Sequence, residues 1–138
     1  MTYRRIALTL GAVLLAGQAL AHHSGAMFDR SRKVTVTGTL VKFQWVNPHS
    51  WIDLNVTDPD GKTVLWSFEA GTPGQMRPTG LTPDVLKVGD RVTITGYPLR
   101  DGRPAAAYVQ LVTADGRLYN TKAQGQTPQG PLVREDAK

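Results

Sequence analysis

The sequence predicts an all-β protein, a small five-stranded OB-like Greek-key barrel with one short helix between strands three and four. Three observations carry that expectation. Five runs between residues 33 and 112 are rich in β-branched and aromatic residues and alternate apolar with polar, the period of a strand with one buried face. Gly, Pro, Asp and Asn punctuate the gaps between them. A Thr-Pro pair that reads as a helix start lies between the third and fourth runs.

The first strand is long, residues 33–46, with Val34 and Val36 on one face and an interruption at Gly38 that marks a bend. Asn47-Pro48 ends it, because Pro48 has no N–H for a ladder and biases Asn47 to extended or turn geometry. Residues 51–56 alternate again and form the second strand. Asp58-Pro59-Asp60-Gly61 is a turn, with proline presetting φ and glycine taking positive φ, so residues 63–69 return as the third strand of a hairpin. Residues 71–80 read as a Gly/Pro/Thr-rich connection. Thr82-Pro83 starts the short helix, with Thr82 as N-cap and Pro83 at the first helical position. Residues 91–96 are the fourth strand, Arg100-Asp101-Gly102-Arg103 a hairpin turn, and residues 105–112 the fifth strand. Val92, Ile94, Val109 and Leu111 should face inward.

Ahead of the barrel, residues 1–21 read as a secretory signal. Arg4 and Arg5 give the basic start, residues 6–17 the apolar run, and Ala19-Leu20-Ala21 the small-x-small cleavage pattern. The expected organisation is therefore a removed signal at 1–21, an N-terminal arm at 22–32, the barrel at 33–118 and a disordered tail at 119–138. The tail is rich in Gln, Gly and Pro without apolar periodicity. The expected location is periplasmic or secreted, with no membrane span after processing.

There is no cysteine, which excludes thiolate metal sites and cysteine nucleophiles and is compatible with an oxidising compartment. The net charge of +5 falls to +3 once Arg4 and Arg5 are removed. The remaining charges are scattered, so a nucleic-acid footprint is not indicated. No phosphate loop, nucleophile elbow or zinc-protease motif occurs.

All three histidines fall in two short motifs, His22-His23-Ser24 and Asn47-Pro48-His49. Cleavage after Ala21 makes His22 the first residue, so its free amine and its imidazole can chelate one ion. An α-amino group titrates near ~7.7–8.0 and imidazole near ~6.5, so deprotonating such donors is easy at neutral pH. The candidate metal ligands are His22, His23 and His49. In one arrangement the amine and imidazole of His22 bind and His49 closes a T-shaped brace. In the other the His22 amine, the His23 backbone nitrogen and the His23 imidazole bind, with His49 or water fourth. Nitrogen donors alone favour copper, with zinc the alternative. The competing readings are a frayed polar terminus at His22 and His23, and a turn-stabilising His49.

Met27 and Met76 offer soft thioether donors, although a lone methionine is more often a core filler. Trp45, Trp51 and Trp66 sit within strand patterns and read as core aromatics. Trp51 nevertheless lies two residues from His49 and shares its face if the strand begins there. Glu69 and Asp53 are the acidic residues inside strong strand patterns, and a structural salt bridge to Arg91 or Arg100 is favoured over a catalytic pair. Met27, Trp51 and Glu69 are thus the accessory candidates.

Several segments together resemble a family of small exported bacterial proteins, domain of unknown function 6152. They are Ala21-His22-His23-Ser24, Phe28-Asp29, Gly38 with Phe43 and Trp45, Asn47-Pro48-His49, Trp66 with Glu69, and Gly80. Leu86-Lys87-Val88-Gly89-Asp90-Arg91-Val92 and Tyr97-Pro98-Leu99-Arg100-Asp101-Gly102 complete the set. Where the resemblance implies tryptophan after Gly80, this chain has Leu81. The resemblance implies a fold and an exported location and brings no activity.

The function expected from these residues is copper carriage, buffering or sensing at the mature N-terminus, without catalysis. Its partner would be a metal-handling or envelope protein, and the chain a monomer or weak dimer. A non-enzymatic OB-type module for an envelope protein or glycan is the alternative, and a histidine-brace copper oxidase the third reading.

Overall fold

Alternation decides which side of each strand turns inward, and the barrel follows from it. The computed structural model describes residues 24–121. The expected signal, His22, His23 and residues 122–138 lie outside the described residues. Six strands form: β1 (Val34–Gln44), β2 (Trp51–Thr57), β3 (Thr63–Glu69), β4 (Arg91–Pro98), β5 (Ala105–Thr113) and β6 (Leu118–Asn120). They hydrogen-bond in the order β3-β2-β1-β4-β5-β6, and a second pairing of β3 with β5 closes the first five into a barrel. That closing pair is parallel, with Phe68 opposite Ala106, whereas β1 runs antiparallel to both β2 and β4. This order and the helix between β3 and β4 are those of an OB-like Greek-key barrel.

Leu40, Ile52, Leu54, Phe68, Ile94 and Leu111 are fully enclosed and form the centre of the core. Leu81 is fully buried as well, so the smaller side chain after Gly80 is absorbed by the packing. β1 serves two neighbours in turn, pairing with β4 up to Thr39 and with β2 from Thr39 onward. Gly38 allows the change of partner: a Cβ there would stand 2.6 Å from the Asn55 carbonyl oxygen.

Four expectations are corrected. The short helix, α1 (Pro73–Met76), lies ten residues before the expected one. Thr72 caps it through a full capping box with Gln75, and Pro73 opens its first turn. Thr82-Pro83 carries the same pair of residues but forms a turn. Three residues after Thr82 stands Val85, which cannot complete a capping box, and the Thr82 hydroxyl is engaged by Asp84, whose carboxyl it holds below the usual range. Second, Val109 is half-buried while Tyr108 faces in. The register shifts here: Gly96 faces Tyr108 and Thr95 faces Gln110, so Val109 is the extra residue of a bulge and loses its place in the alternation. Third, Tyr119 and Asn120 belong to β6 and not to the tail; Tyr119 is buried, and its carbonyl accepts the Tyr108 hydroxyl at 2.8 Å. Burial pushes the Tyr108 phenol well above its ordinary pKa. Fourth, Trp45 and Trp66 pack against the core, but Trp51 lies on the outer face, half-buried.

Candidate functional site

The β2–β3 hairpin builds the site. Its pairs run from Thr57 opposite Thr63 down to Trp51 opposite Glu69. The ladder continues one step further, since the Ala70 N–H donates to the Ser50 carbonyl and the Ser50 N–H to that of Gly71. Ser50 therefore faces inward, and its neighbours His49 and Trp51 face outward beside Glu69.

At this rim His49 Nδ1 lies 3.2 Å from Glu69 Oε1. The His49 side chain is 42% exposed and the Glu69 side chain only 12%. A carboxylate so enclosed needs a proton donor beside it, and His49 supplies one. Nδ1 faces the carboxylate acceptor, so a neutral His49 ring holds its proton there and its lone pair on Nε2. A carboxylate behind one imidazole nitrogen is the usual backing of a histidine that binds metal through the other.

The arginine salt bridges expected for Glu69 and Asp53 do not form. Asp53 accepts the Ser67 hydroxyl at 2.8 Å. Arg91 opens β4 opposite Thr39, far along the strands from Glu69. Arg100 is committed to the N-terminal arm, where its backbone N–H donates to Met27 O (2.9 Å) and its Nε donates to Ala26 O (3.1 Å).

That arm is docked along the end of β4. Phe28 is buried and bridges Leu99, and the Asp29 N–H donates to Pro98 O at 2.8 Å. Asp29 accepts both the Ser31 hydroxyl and the Ser31 N–H, which hold its carboxyl below the usual range with help from Arg100 and Arg32. The Arg30 guanidinium and the Lys33 ammonium stand 5.7 and 5.8 Å from the centre of the Tyr97 ring. Of the methionines, Met27 is exposed on this arm and Met76 is buried in the core as a filler.

The structure thus brings His49, Trp51 and Glu69 together, with Met27 apart from them on the docked arm. His22 and His23 lie outside the described residues, just ahead of Ser24. Among the described residues no group of three or more His, Asp or Glu side chains converges to hold a metal ion. The rim therefore presents one imidazole with a carboxylate behind it.

Sequence reasoning missed the pairing of His49 with Glu69, twenty positions apart. The signal was present: a hairpin turning about Asp60 pairs residues whose numbers sum to 120, which sets Glu69 opposite Trp51. It also missed an open cleft of about 250 Å³ at the other end of β4 and β5. Asp90, Arg91, Asp115 and Arg117 line it, and Asp115 and Arg117 pair with each other. No motif joins those two segments in the sequence.

Fold and site define a small OB-like barrel whose rim histidine is backed by a carboxylate. The chain belongs to the family of unknown function DUF6152, whose model matches residues 11–108. No curated protein matches the chain. Among the described residues no helix is long and apolar enough to cross a membrane.

Proposed function

We propose that this is an exported copper-binding protein that carries, buffers or senses the metal. The His22 amine chelates the ion together with either its own imidazole or the backbone nitrogen and imidazole of His23, and His49 completes the site. The observation that carries this reading is the exposed His49 with Glu69 behind its Nδ1. Donors made only of nitrogen suit copper(II), with zinc the alternative ion. A shared site requires the chain ahead of the Ser24–Met27 3₁₀ helix to turn back from the Leu99 end of β4 toward Trp51, across the row Tyr97, Ala107, Glu69 and Trp51.

A periplasmic or secreted location and a metal-handling or envelope partner belong to the same proposal. Trp51 on the outer face favours the second reading, a module for an envelope protein or glycan, because OB barrels bind on strands two and three.

Metal analysis of the exported protein tests the proposal. It should begin at His22 by intact mass and retain about one copper per chain after dialysis. Processed protein without copper or zinc affinity would favour the second reading.

A further inference from the structure

We infer that the end of the barrel where the N-terminal arm docks beside the β4–β5 turn is a docking surface for an anionic lipid bilayer. This surface does not depend on the metal site. Basic residues that are scattered in the sequence meet here. The arm supplies Arg30, Arg32 and Lys33, and the β4–β5 turn supplies Arg100 and Arg103. The Phe28–Leu99 bridge and the Asp29–Pro98 and Arg100–Met27 backbone hydrogen bonds hold the two segments together. All five basic residues are exposed. The two acidic residues of these segments are each taken by a neighbour: Asp29 pairs with Arg32 at 3.2 Å and Asp101 with Arg103 at 2.8 Å. Residues 24–33 and 97–103 therefore carry five positive charges against two negative ones, a net of +3. The other described residues, 34–96 and 104–121, hold six against seven, a net of −1. The fold thus gathers the excess positive charge of the described chain at one end.

Arg30 and Lys33 lie against Tyr97, 5.7 and 5.8 Å from the ring centre. Among the described residues neither has a carboxylate within ion-pair distance. An aromatic face holds a cation without cancelling its charge, so both remain available to an anion. Met27, 44% exposed, stands on the same arm, and its carbonyl is held by the Arg100 N–H. An apolar side chain beside uncompensated cations suits a bilayer interface, where the cations meet headgroup phosphates and the methionine enters the acyl boundary. A polyanion such as nucleic acid would use the charges and leave Met27 in water.

Vesicle partition of the processed full chain, without added metal, tests the surface. The vesicles are phosphatidylcholine alone and phosphatidylcholine mixed with phosphatidylglycerol. The native chain should bind the anionic vesicles and not the neutral ones. Salt should release it, since the Debye length falls from about 10 Å at ~0.1 M to about 3 Å at ~1 M. Each cation near an anionic leaflet contributes roughly fivefold, so R30Q/K33Q should bind about thirtyfold more weakly. M27S keeps the carbonyl that Arg100 holds and should weaken binding by about fivefold through lost apolar burial. K87Q/R91Q lowers the net charge equally at the other end of β4 and should bind like the native chain. A native chain that ignores anionic vesicles overturns the inference. Equal weakening in R30Q/K33Q and K87Q/R91Q also overturns it, because net charge alone would then explain the binding. Tighter binding to a DNA duplex than to anionic vesicles, with M27S like native on both, overturns it in favour of a polyanion.

Discussion

The barrel and the arm are held by different physics. The barrel is closed by continuous ladders around a core of enclosed side chains, Phe68 and Ile94 among them. The arm is held by one buried phenylalanine, two backbone hydrogen bonds (Asp29 N–H to Pro98 O and Arg100 N–H to Met27 O), and the Arg100 side chain. Loss of a core residue threatens the whole cooperative unit, whereas loss of an arm contact opens only the arm. In this molecule stability and the proposed binding are therefore separable, because the core carries the stability and His49 and Glu69 stand on the outer rim.

The comparison breaks first in the core. Phe68→Ala removes the largest fully buried side chain, next to the β3–β5 closure. It should lower unfolding stability by about 3–5 kcal/mol. Denaturant titration checks this, and a loss below about 1 kcal/mol would mean that the barrel is not closed as described. Glu69→Ala acts on the rim. Removing the carboxylate behind a metal-binding imidazole lowers affinity by about tenfold or more. Copper titration with circular dichroism should show weakened binding by a folded barrel; unaltered affinity would deny Glu69 its backing role.

The smallest expected effect concerns Ser50, whose buried hydroxyl has no hydrogen-bond partner among the described residues. Ser50→Ala should leave the barrel as stable as before or up to about 1 kcal/mol more so. A clear destabilisation in the same titration would reveal a partner for that hydroxyl. Copper affinity should not change with it, since Ser50 faces inward while His49 faces out. Acidity gives a separate handle on the site. Its donors must be deprotonated to bind, so copper affinity should fall as the solution is acidified.

The same division between local pattern and contact explains what was legible in the sequence. β3 matches its expected bounds and β2 differs by one residue, because alternation and the turn at residues 58–61 are local signals. The five-stranded barrel followed from counting such runs. The bulge at Val109 was not legible, since its cause is the pairing with β4 across the Arg100 hairpin. The helix was misplaced because two Thr-Pro pairs compete ten residues apart and only the box-completing Gln75 separates them. At the site, His49 stood out as a rare residue type in a short motif. Its partner did not, because Glu69 reaches it through sheet register. Arg100 looked like a salt-bridge residue, and only the docked arm shows what its donors are used for.

Copper(II) competition titration of correctly processed protein against its His49→Ala variant tests the shared site most directly. A shared site predicts more than tenfold weaker binding in the variant, over 1.4 kcal/mol, with the barrel still folded. Equal affinity in the two proteins would reduce the metal site to a free terminal chelate and contradict the account.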